Sequence, residues 1–121
     1  MYFVPHVHCR DEKQSYKETI PHALKVAEKA GVDAIFDMPN TDPPVTTRNR
    51  VIERLRLAEE AHSKVFYGTC IGLTPNLNQL REAVSTHYNF FPKVVGLKLF
   101  AGKSIGDLEI TDEKDQQEVY R

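Results

Sequence analysis

Apolar and polar positions along the chain follow two periods. Four short apolar runs predict β-strands at residues 2–8, 33–38, 64–71 and 94–100. Between and after these runs, apolar residues recur every three to four positions, which predicts amphipathic helices. The predicted order is β-α-β-α-β-α-β-α with a repeat of about 30 residues, which is typical of parallel βα units with right-handed crossovers.

Capping residues predict where each helix begins. Thr19 is a better N-cap than Ser15 for the first helix, because it leaves Pro21 in the first turn, and Gly31 suits the position just past the helix. The second helix is expected after Thr46 or Thr47, the third after Asn76 or Asn78, and the fourth from Thr111 to Arg121. The predicted buried positions are Ile20, Ala23, Leu24, Ala27 and Ala30, then Val51, Ile52, Leu55 and Ala58, then Leu77, Leu80, Ala83 and Val84.

Two α/β architectures accept this order of elements. One is an open, doubly wound parallel sheet, and the other is the N-terminal half of a TIM-type (β/α)₈ barrel, which normally needs about 250 residues. The chain has 121 residues, so residues 1–121 are expected to form one partial barrel domain of about four βα units if the second architecture holds. Periodicity alone leaves both open.

Composition narrows the class of protein. With 40% hydrophobic residues and a formal net charge of −1, the chain is typical of a globular domain, and nucleic acid is not an expected partner. No apolar run approaches the ~18 residues of a membrane span, and the early polar stretch from His6 to Ser15 predicts no signal peptide. Cys9 and Cys70 form no CxxC pair and are expected to be buried, unactivated thiols, so a reduced, cytoplasmic setting is expected.

The first candidate for chemistry is His6-Val7-His8-Cys9-Arg10 at the end of the first predicted strand. Because residues i and i+2 of a strand share a face, both imidazoles offer ligands to one transition metal. Arg10 has the same parity and could hold a carboxylate with two hydrogen bonds. The alternative is two partly exposed histidines at a strand end. The other histidines, at helix ends, are expected to be surface residues: His22, His62 and His87.

Two further candidates follow later strands. Asn40 lies after the second predicted strand, at the edge where parallel sheets bind ligands, and its amide can donate and accept; a turn role is the alternative. Lys98 is expected to share a strand face with Val94 and Gly96, and a sheet covered on both sides would bury its amine and favour the neutral, nucleophilic form. A packed stem with a solvated head is the alternative for this lysine.

Three segments together resemble the dihydroorotases of the amidohydrolase superfamily, which are cyclic amidohydrolases. They are His6-Val-His8-Cys-Arg10, Asp37-Met-Pro-Asn40-Thr-Asp-Pro-Pro44 and Gly96-Leu-Lys98-Leu-Phe100, in the family's order and spacing. The resemblance runs across essentially the whole chain. It implies the N-terminal half of a (β/α)₈ barrel with a zinc centre at the C-terminal mouth of the strands.

The resemblance also implies roles for particular residues. His6 and His8 would ligate one zinc ion, Lys98, carboxylated by carbon dioxide, would bridge two zinc ions, and Arg10 and Asn40 would hold the substrate carboxylate. The implied reaction is the reversible hydrolysis of dihydroorotate to carbamoyl aspartate, a step of pyrimidine synthesis. In this family two more histidine ligands and the catalytic aspartate come from strands five, six and eight, so no catalytic base is expected in this chain.

Three hypotheses about function remain at this point. The chain is the N-terminal part of a zinc-dependent dihydroorotase-like hydrolase, inactive by itself; or it is a catalytically silent assembly module; or it is an independent α/β metal-binding domain. The second hypothesis rests on the two open strand edges and the apolar inner face of a half-barrel, which self-association or a missing C-terminal half would cover. Val4 departs from the family pattern, which usually has an aspartate two residues before the first histidine.

Overall fold

The computed structural model describes residues 1–101 and 109–120 of the chain. Its strands are β1 (Phe3–Val7), β2 (Ala34–Asp37), β3 (Phe66–Gly72) and β4 (Val94–Lys98). Its helices are α1 (Ile20–Lys29), α2 (Arg48–Glu60), α3 (Leu77–Phe90) and α4 (Glu113–Val119), with a short 3₁₀ helix at Glu12–Gln14. The predicted alternation of strands and helices is confirmed.

All four strands are parallel and form one sheet in the order β1-β2-β3-β4. A doubly wound sheet reverses its strand order beside the first strand, whereas a barrel wall adds each strand next to the preceding one. The described part of the chain therefore has the topology of a barrel wall.

The helix starts follow the predicted caps in three of four cases. The side chains of Thr19, Thr47 and Asn76 accept hydrogen bonds from backbone N–H groups three residues further on, and Gly31 has a φ of 77° just past α1. The prediction of Thr111 as the fourth cap is wrong. Asp112 caps α4 instead, because its carboxylate accepts from the N–H groups of residues 114 and 115. Arg121, where this helix was expected to end, lies outside the described residues.

The helices cover one face of the sheet with two apolar clusters. The first joins α1 and the start of the sheet and includes Ile20, Leu24, Ile35 and Tyr67. The second joins α2, α3 and the end of the sheet and includes Val51, Ile71, Ala83 and Val94. Four residues predicted to be buried are exposed instead: Ala30, Ile52, Leu77 and Val84.

In α2 the exposure of Ile52 has a specific cause. Ile52 is 44% exposed, while Arg54, which was not predicted to be buried, is fully buried. The face of α2 that meets the sheet carries Val51 and Arg54, three residues apart, and so Ile52 turns toward solvent. A charged residue thus occupies the position that periodicity assigns to an apolar one.

Two strands contain a one-residue irregularity. In β1 the register passes from Val4↔Ile35 to Val7↔Asp37, and in β4 it passes from Thr69↔Val94 to Cys70↔Gly96. Each step leaves one extra residue on the edge strand, which is a β-bulge. Both edge strands of the sheet therefore change side-chain direction before the histidine and lysine candidates: β1 between Val4 and Val7, and β4 at its start, between Val94 and Gly96.

The bulge in β4 overturns the predicted face of Val94. Val94 pairs with Thr69 and packs into the second cluster on the helical side of the sheet. Lys98 pairs with Gly72, one position past the Leu97↔Ile71 pair, so Lys98 lies on the opposite face. The prediction that Val94 and Lys98 share a face is therefore wrong, because a strict two-residue alternation does not allow for the extra residue.

The sheet face away from the helices is apolar and uncovered in the described part of the chain. Phe3 is 56% exposed and Phe66 38% exposed, and the rings of Phe3 and Phe36 lie 6.4 Å apart. In a closed barrel this face is the packed interior. The expectation that both faces are covered, made for Lys98, does not hold here.

Gly68 on β3 lies where side chains on the uncovered face leave no room for a Cβ atom. A Cβ at Gly68 would lie 2.5 Å from Val95 Cγ1 and 3.1 Å from Phe36 Cδ1, whereas a Cβ at Gly96 meets nothing within 4 Å. We expect Gly68→Ala to lower the free energy of unfolding by about 1–3 kcal/mol and Gly96→Ala to change it by less than about 0.5 kcal/mol, as measured by urea denaturation. Equal effects of the two substitutions would contradict this packing.

Candidate functional site

The segments that follow β1 and β2 meet at the C-terminal edge of the sheet. The Met38 N–H donates to the Val7 carbonyl over 2.9 Å, so the two chain segments continue side by side beyond the strands. This contact brings the residues after Val7 against the loop that contains Asn40. The predicted convergence of the first two sequence segments is therefore present.

His6 and His8 form a close pair at this edge. Their Nε2 atoms lie 3.0 Å apart, with ring centroids 4.9 Å apart and an interplanar angle of 68°. Two nitrogen ligands of a tetrahedral zinc ion, each about 2.0–2.1 Å from the metal, lie about 3.3 Å from one another. The spacing of the two Nε2 atoms is thus close to that of two ligands of one zinc ion.

Asn40 sets the orientation of the His8 ring. Asn40 Oδ1 lies 2.9 Å from His8 Nδ1. An amide oxygen can only accept, so this contact is a hydrogen bond in the tautomer that has the proton on Nδ1 and the lone pair on Nε2. Nε2 is the atom that faces His6. This is the arrangement in which a hydrogen bond to one ring nitrogen fixes the other as a metal ligand.

Charge and burial both keep His8 neutral. Burial lowers the pKa of His8 below 6.5, and the nearby Arg10 and His6 lower it further, against smaller opposing effects of Asn40 and Asp37. Since metals bind the neutral imidazole, His8 is in the required form at neutral pH.

Arg10 contacts both His8 and Asn40. Its Nη1 donates to the backbone carbonyl of Asn40, and its Nη2 lies 3.2 Å from His8 Nδ1. Both Arg10 and Asn40 are buried. Because Nδ1 donates to Asn40, the contact with Nη2 contributes positive charge rather than a hydrogen bond. The two residues expected to bind a carboxylate are therefore adjacent to each other and to the histidine pair.

Lys98 occupies the other edge strand. It is half-buried, rather than enclosed by apolar groups as expected, and its Nζ lies 5.5 Å from the centroid of the Phe100 ring. In the described part of the chain no hydrogen bond joins Lys98 to His6 or His8, and no group of three or more His, Cys, Asp or Glu residues forms a metal site. A Cβ at Gly96 would meet nothing within 4 Å, as expected of open space beside this lysine.

Both cysteines are buried and free, as predicted. Burial raises the pKa of Cys9, and the nearby Asp37 raises it further. Burial also raises the pKa of Cys70 to about 11, although the positive charge of Lys98 acts in the opposite direction. Neither thiol is therefore activated as a nucleophile.

A buried ionic cluster beneath the site was not predicted. The Arg54 guanidinium donates to Asp37 Oδ2 over 2.5 Å and to the Cys9 carbonyl over 2.8 Å, and its Nη1 lies 3.4 Å from Asp11 Oδ2. The Tyr67 hydroxyl donates to Asp37 Oδ2 over 2.6 Å. Two features of the sequence signal this cluster: an aspartate within an apolar strand, and an arginine three residues after Val51 on the apolar face of α2.

Comparison with known proteins gives relatives in both sequence and structure, although no family model matches. The chain is 40% identical over 88 residues to the dihydroorotase of Sulfurisphaera tokodaii, which covers 73% of this chain and 22% of that one. It superposes on the L-hydantoinase (dihydropyrimidinase) from Arthrobacter aurescens with a TM-score of 0.79 and 22% identity, over 98% of this chain and 26% of that one. It also matches a dihydroorotase from Saccharomyces cerevisiae, solved in complex with 5-fluoroorotic acid, with a TM-score of 0.60 and 25% identity, over 84% and 26% of the two chains.

The fold is thus part of the TIM barrel of the amidohydrolases. Because the sequence match covers most of the chain, the chain is a partial, N-terminal piece of a homologue of the dihydroorotases. The chain spans only 22% to 26% of the length of these relatives. Among the described residues, none of the helices combines the length and apolar character that a membrane span needs.

The lowered pKa of His8 gives a direct test of the site's electrostatics. We expect His8 to titrate below pH 6.5 in an NMR titration of the metal-free chain, and Arg10→Met to raise its pKa, because the substitution removes a nearby positive charge. Because the folded-state pKa lies below the unfolded value, His8 stabilises the fold fully above pH 6.5, and this contribution is lost as the pH falls through the folded-state pKa. An unchanged or lower pKa in Arg10→Met would contradict the assigned contact.

Proposed function

We propose that the chain supplies the histidine pair and the carboxylate-binding part of a zinc-dependent cyclic amidohydrolase that acts on dihydroorotate and carbamoyl aspartate. The observation that carries this proposal is the 3.0 Å approach of the Nε2 atoms of His6 and His8, with His8 oriented by Asn40. The sequence match to a dihydroorotase supports the same substrate class.

In this proposal the protein holds zinc through His6 and His8. Lys98, carboxylated on Nζ by carbon dioxide with loss of a proton, would supply an anionic oxygen ligand for zinc. Zinc in such a site lowers the pKa of water and polarises a carbonyl group, which is the chemistry that hydrolysis of a cyclic amide needs. Support from this chain is the neutral state of His8 and the open space beside Gly96.

Arg10 and Asn40 would hold the substrate carboxylate beside the histidine pair. A guanidinium carries several N–H donors in a planar fork. Arg10 can therefore donate hydrogen bonds to a carboxylate while Nη1 still donates to the Asn40 carbonyl. An anchored carboxylate fixes the ring of the substrate relative to the metal, and this orientation lowers the barrier to attack.

The proposed site needs groups from outside this segment. The histidine pair provides two ligands, and a tetrahedral catalytic zinc uses three protein ligands. The sequence resemblance implies that the missing ligands and the catalytic aspartate come from later strands. We therefore propose that the 121-residue chain binds metal weakly and does not turn over substrate by itself.

Metal binding tests the proposal on this chain directly. We expect the chain to bind Co²⁺ or Zn²⁺ with modest affinity, and His6→Ala or His8→Ala to weaken binding at least about tenfold, because each removes one ligand. Binding is measured by Co²⁺ absorbance and by Zn²⁺ competition with a chromophoric chelator.

The matched control is His22→Ala. His22 is exposed, its Nδ1 lies 2.6 Å from Glu18 Oε1, and in the described part of the chain it makes no hydrogen bond to His6 or His8. We expect this variant to bind metal like the unmodified chain. Equal losses in all three histidine variants, or turnover of dihydroorotate by the zinc-loaded chain, would contradict the proposal.

A second candidate function, assembly, is favoured by the uncovered face of the sheet. Phe3 and Phe66 lie exposed on this face, and β1 and β4 are both edge strands. Open edges beside an apolar face promote association. We propose that this face packs against a second copy of the chain, so that eight strands close a barrel, when no further strands of a longer chain cover it.

Sedimentation tests this assembly. We expect the isolated chain to form dimers, and Phe66→Lys, which places a charge on the uncovered face, to shift it to monomer. Tyr88→Lys is the matched control, since Tyr88 is exposed on α3. A clean monomer at micromolar concentration would contradict self-association.

A further inference from the structure

We propose that Asp37 and Arg54 are positioning residues that fix the direction of the His8 and Arg10 side chains by holding both peptide groups of Cys9. The proposed consequence for metal and carboxylate binding rests on the function proposed above. The positioning itself is a property of the metal-free chain. In the described part of the chain neither residue hydrogen-bonds to the histidine pair, so the positioning effect passes through the backbone, separately from the small electrostatic effect of Asp37 on the pKa of His8.

Cys9 is held from both sides. Its N–H donates to Asp37 Oδ1 over 2.9 Å, and its carbonyl accepts from Arg54 Nη2 over 2.8 Å. The same Arg54 Nη2 donates to Asp37 Oδ2, which closes the ring of contacts. The peptide group before Cys9 and the peptide group after it are thus both fixed.

This arrangement sets the side chains on either side of Cys9. The Cys9 side chain is buried in the first apolar cluster on the helical face of the sheet. The side chains of His8 and Arg10 do not enter this cluster but contact Asn40, so a fixed Cys9 sets the direction in which each of them leaves the backbone. In these directions His8 meets Asn40 and His6, and Arg10 meets the Asn40 carbonyl.

The cluster also ties this segment to the rest of the fold. Asp11 accepts the Ile20 N–H at the start of α1 over 2.9 Å and faces Arg54 Nη1. The Tyr67 hydroxyl on β3 gives Asp37 a further donor. Arg54 therefore joins α2 to the segment after β1, and a movement of Arg54 is expected to move His8.

The test reads the tautomer of His8 in the metal-free chain. Nitrogen-15 NMR at pH 8, where the imidazole is neutral, should show the proton on Nδ1, because Asn40 Oδ1 accepts it. We expect Arg54→Lys, which keeps the charge but cannot bridge Asp37 and Cys9 in the same way, to lose this preference. Where Co²⁺ binds, its affinity should fall about 10–100-fold in the same variant.

Arg56→Lys is the matched control on the same helix. Arg56 is exposed and pairs with Glu53 and Glu60, so we expect neither the tautomer nor the Co²⁺ affinity to change. If Arg54→Lys does not fold, Tyr67→Phe takes its place, because it removes only the hydroxyl donor to Asp37 and should shift the tautomer in the same direction.

The outcomes separate the two proposals. The positioning role is overturned if a folded Arg54→Lys variant keeps the Nδ1–H form of His8. It is also overturned if the unmodified chain does not show that form. A purely structural role would lower the denaturation midpoint and leave the tautomer of the folded protein unchanged. If the unmodified chain has the Nδ1–H form, Arg54→Lys loses it and neither protein binds Co²⁺, the positioning role is supported and the proposed metal site is contradicted.

Discussion

The ion pair between Arg54 and Asp37 is the interaction on which the geometry at the C-terminal edge of the sheet depends. Both side chains are fully buried, and loss of either one leaves a charge without its partner in a medium of low polarity. Such a pair tolerates little displacement, because both carboxylate oxygens of Asp37 and both Nη atoms of Arg54 already have hydrogen-bond partners. The cost of burying these charges is offset by the hydrogen bonds from Tyr67 and to the Cys9 carbonyl, which make the pair a rigid support.

The sheet has two faces with different roles. Helices cover one face, and that face contains both apolar clusters and the ionic cluster. The other face carries aromatic side chains near its start and polar candidates near its end, such as Phe3 and His8. In a barrel the corresponding surface is the packed interior with a reactive mouth. The separation means that groups on the helical side set the positions of the side chains at the mouth through the backbone of the strands and of the segments that follow them.

Periodicity and capping chemistry were sufficient to predict the strands and α-helices. Short motifs selected His6, His8, Arg10 and Asn40, which lie together in the structure, while their roles stay a prediction. These patterns could not choose between barrel and doubly wound sheet, since strand order depends on pairing between distant segments. They also missed the bulge that puts Val94 and Lys98 on different faces, because one extra residue leaves no local signal in composition. Arg54 was missed for a related reason: a buried arginine is favourable only when its partners, here Asp37 and the Cys9 carbonyl, arrive from other elements.

The consecutive strand order has a consequence for how such a sheet is made. Each strand pairs with the strand synthesised before it, and the helix between them covers the pair once the second strand is in place. Paired residues on neighbouring strands lie 25 to 32 positions apart in the chain, and closure entropy grows only slowly with length, so no pairing requires the two ends of the chain to meet. A ribosome-bound chain can therefore add one βα unit at a time. At every stage the growing edge of the sheet is the most recently emerged strand, and it is the template on which the next one is laid down.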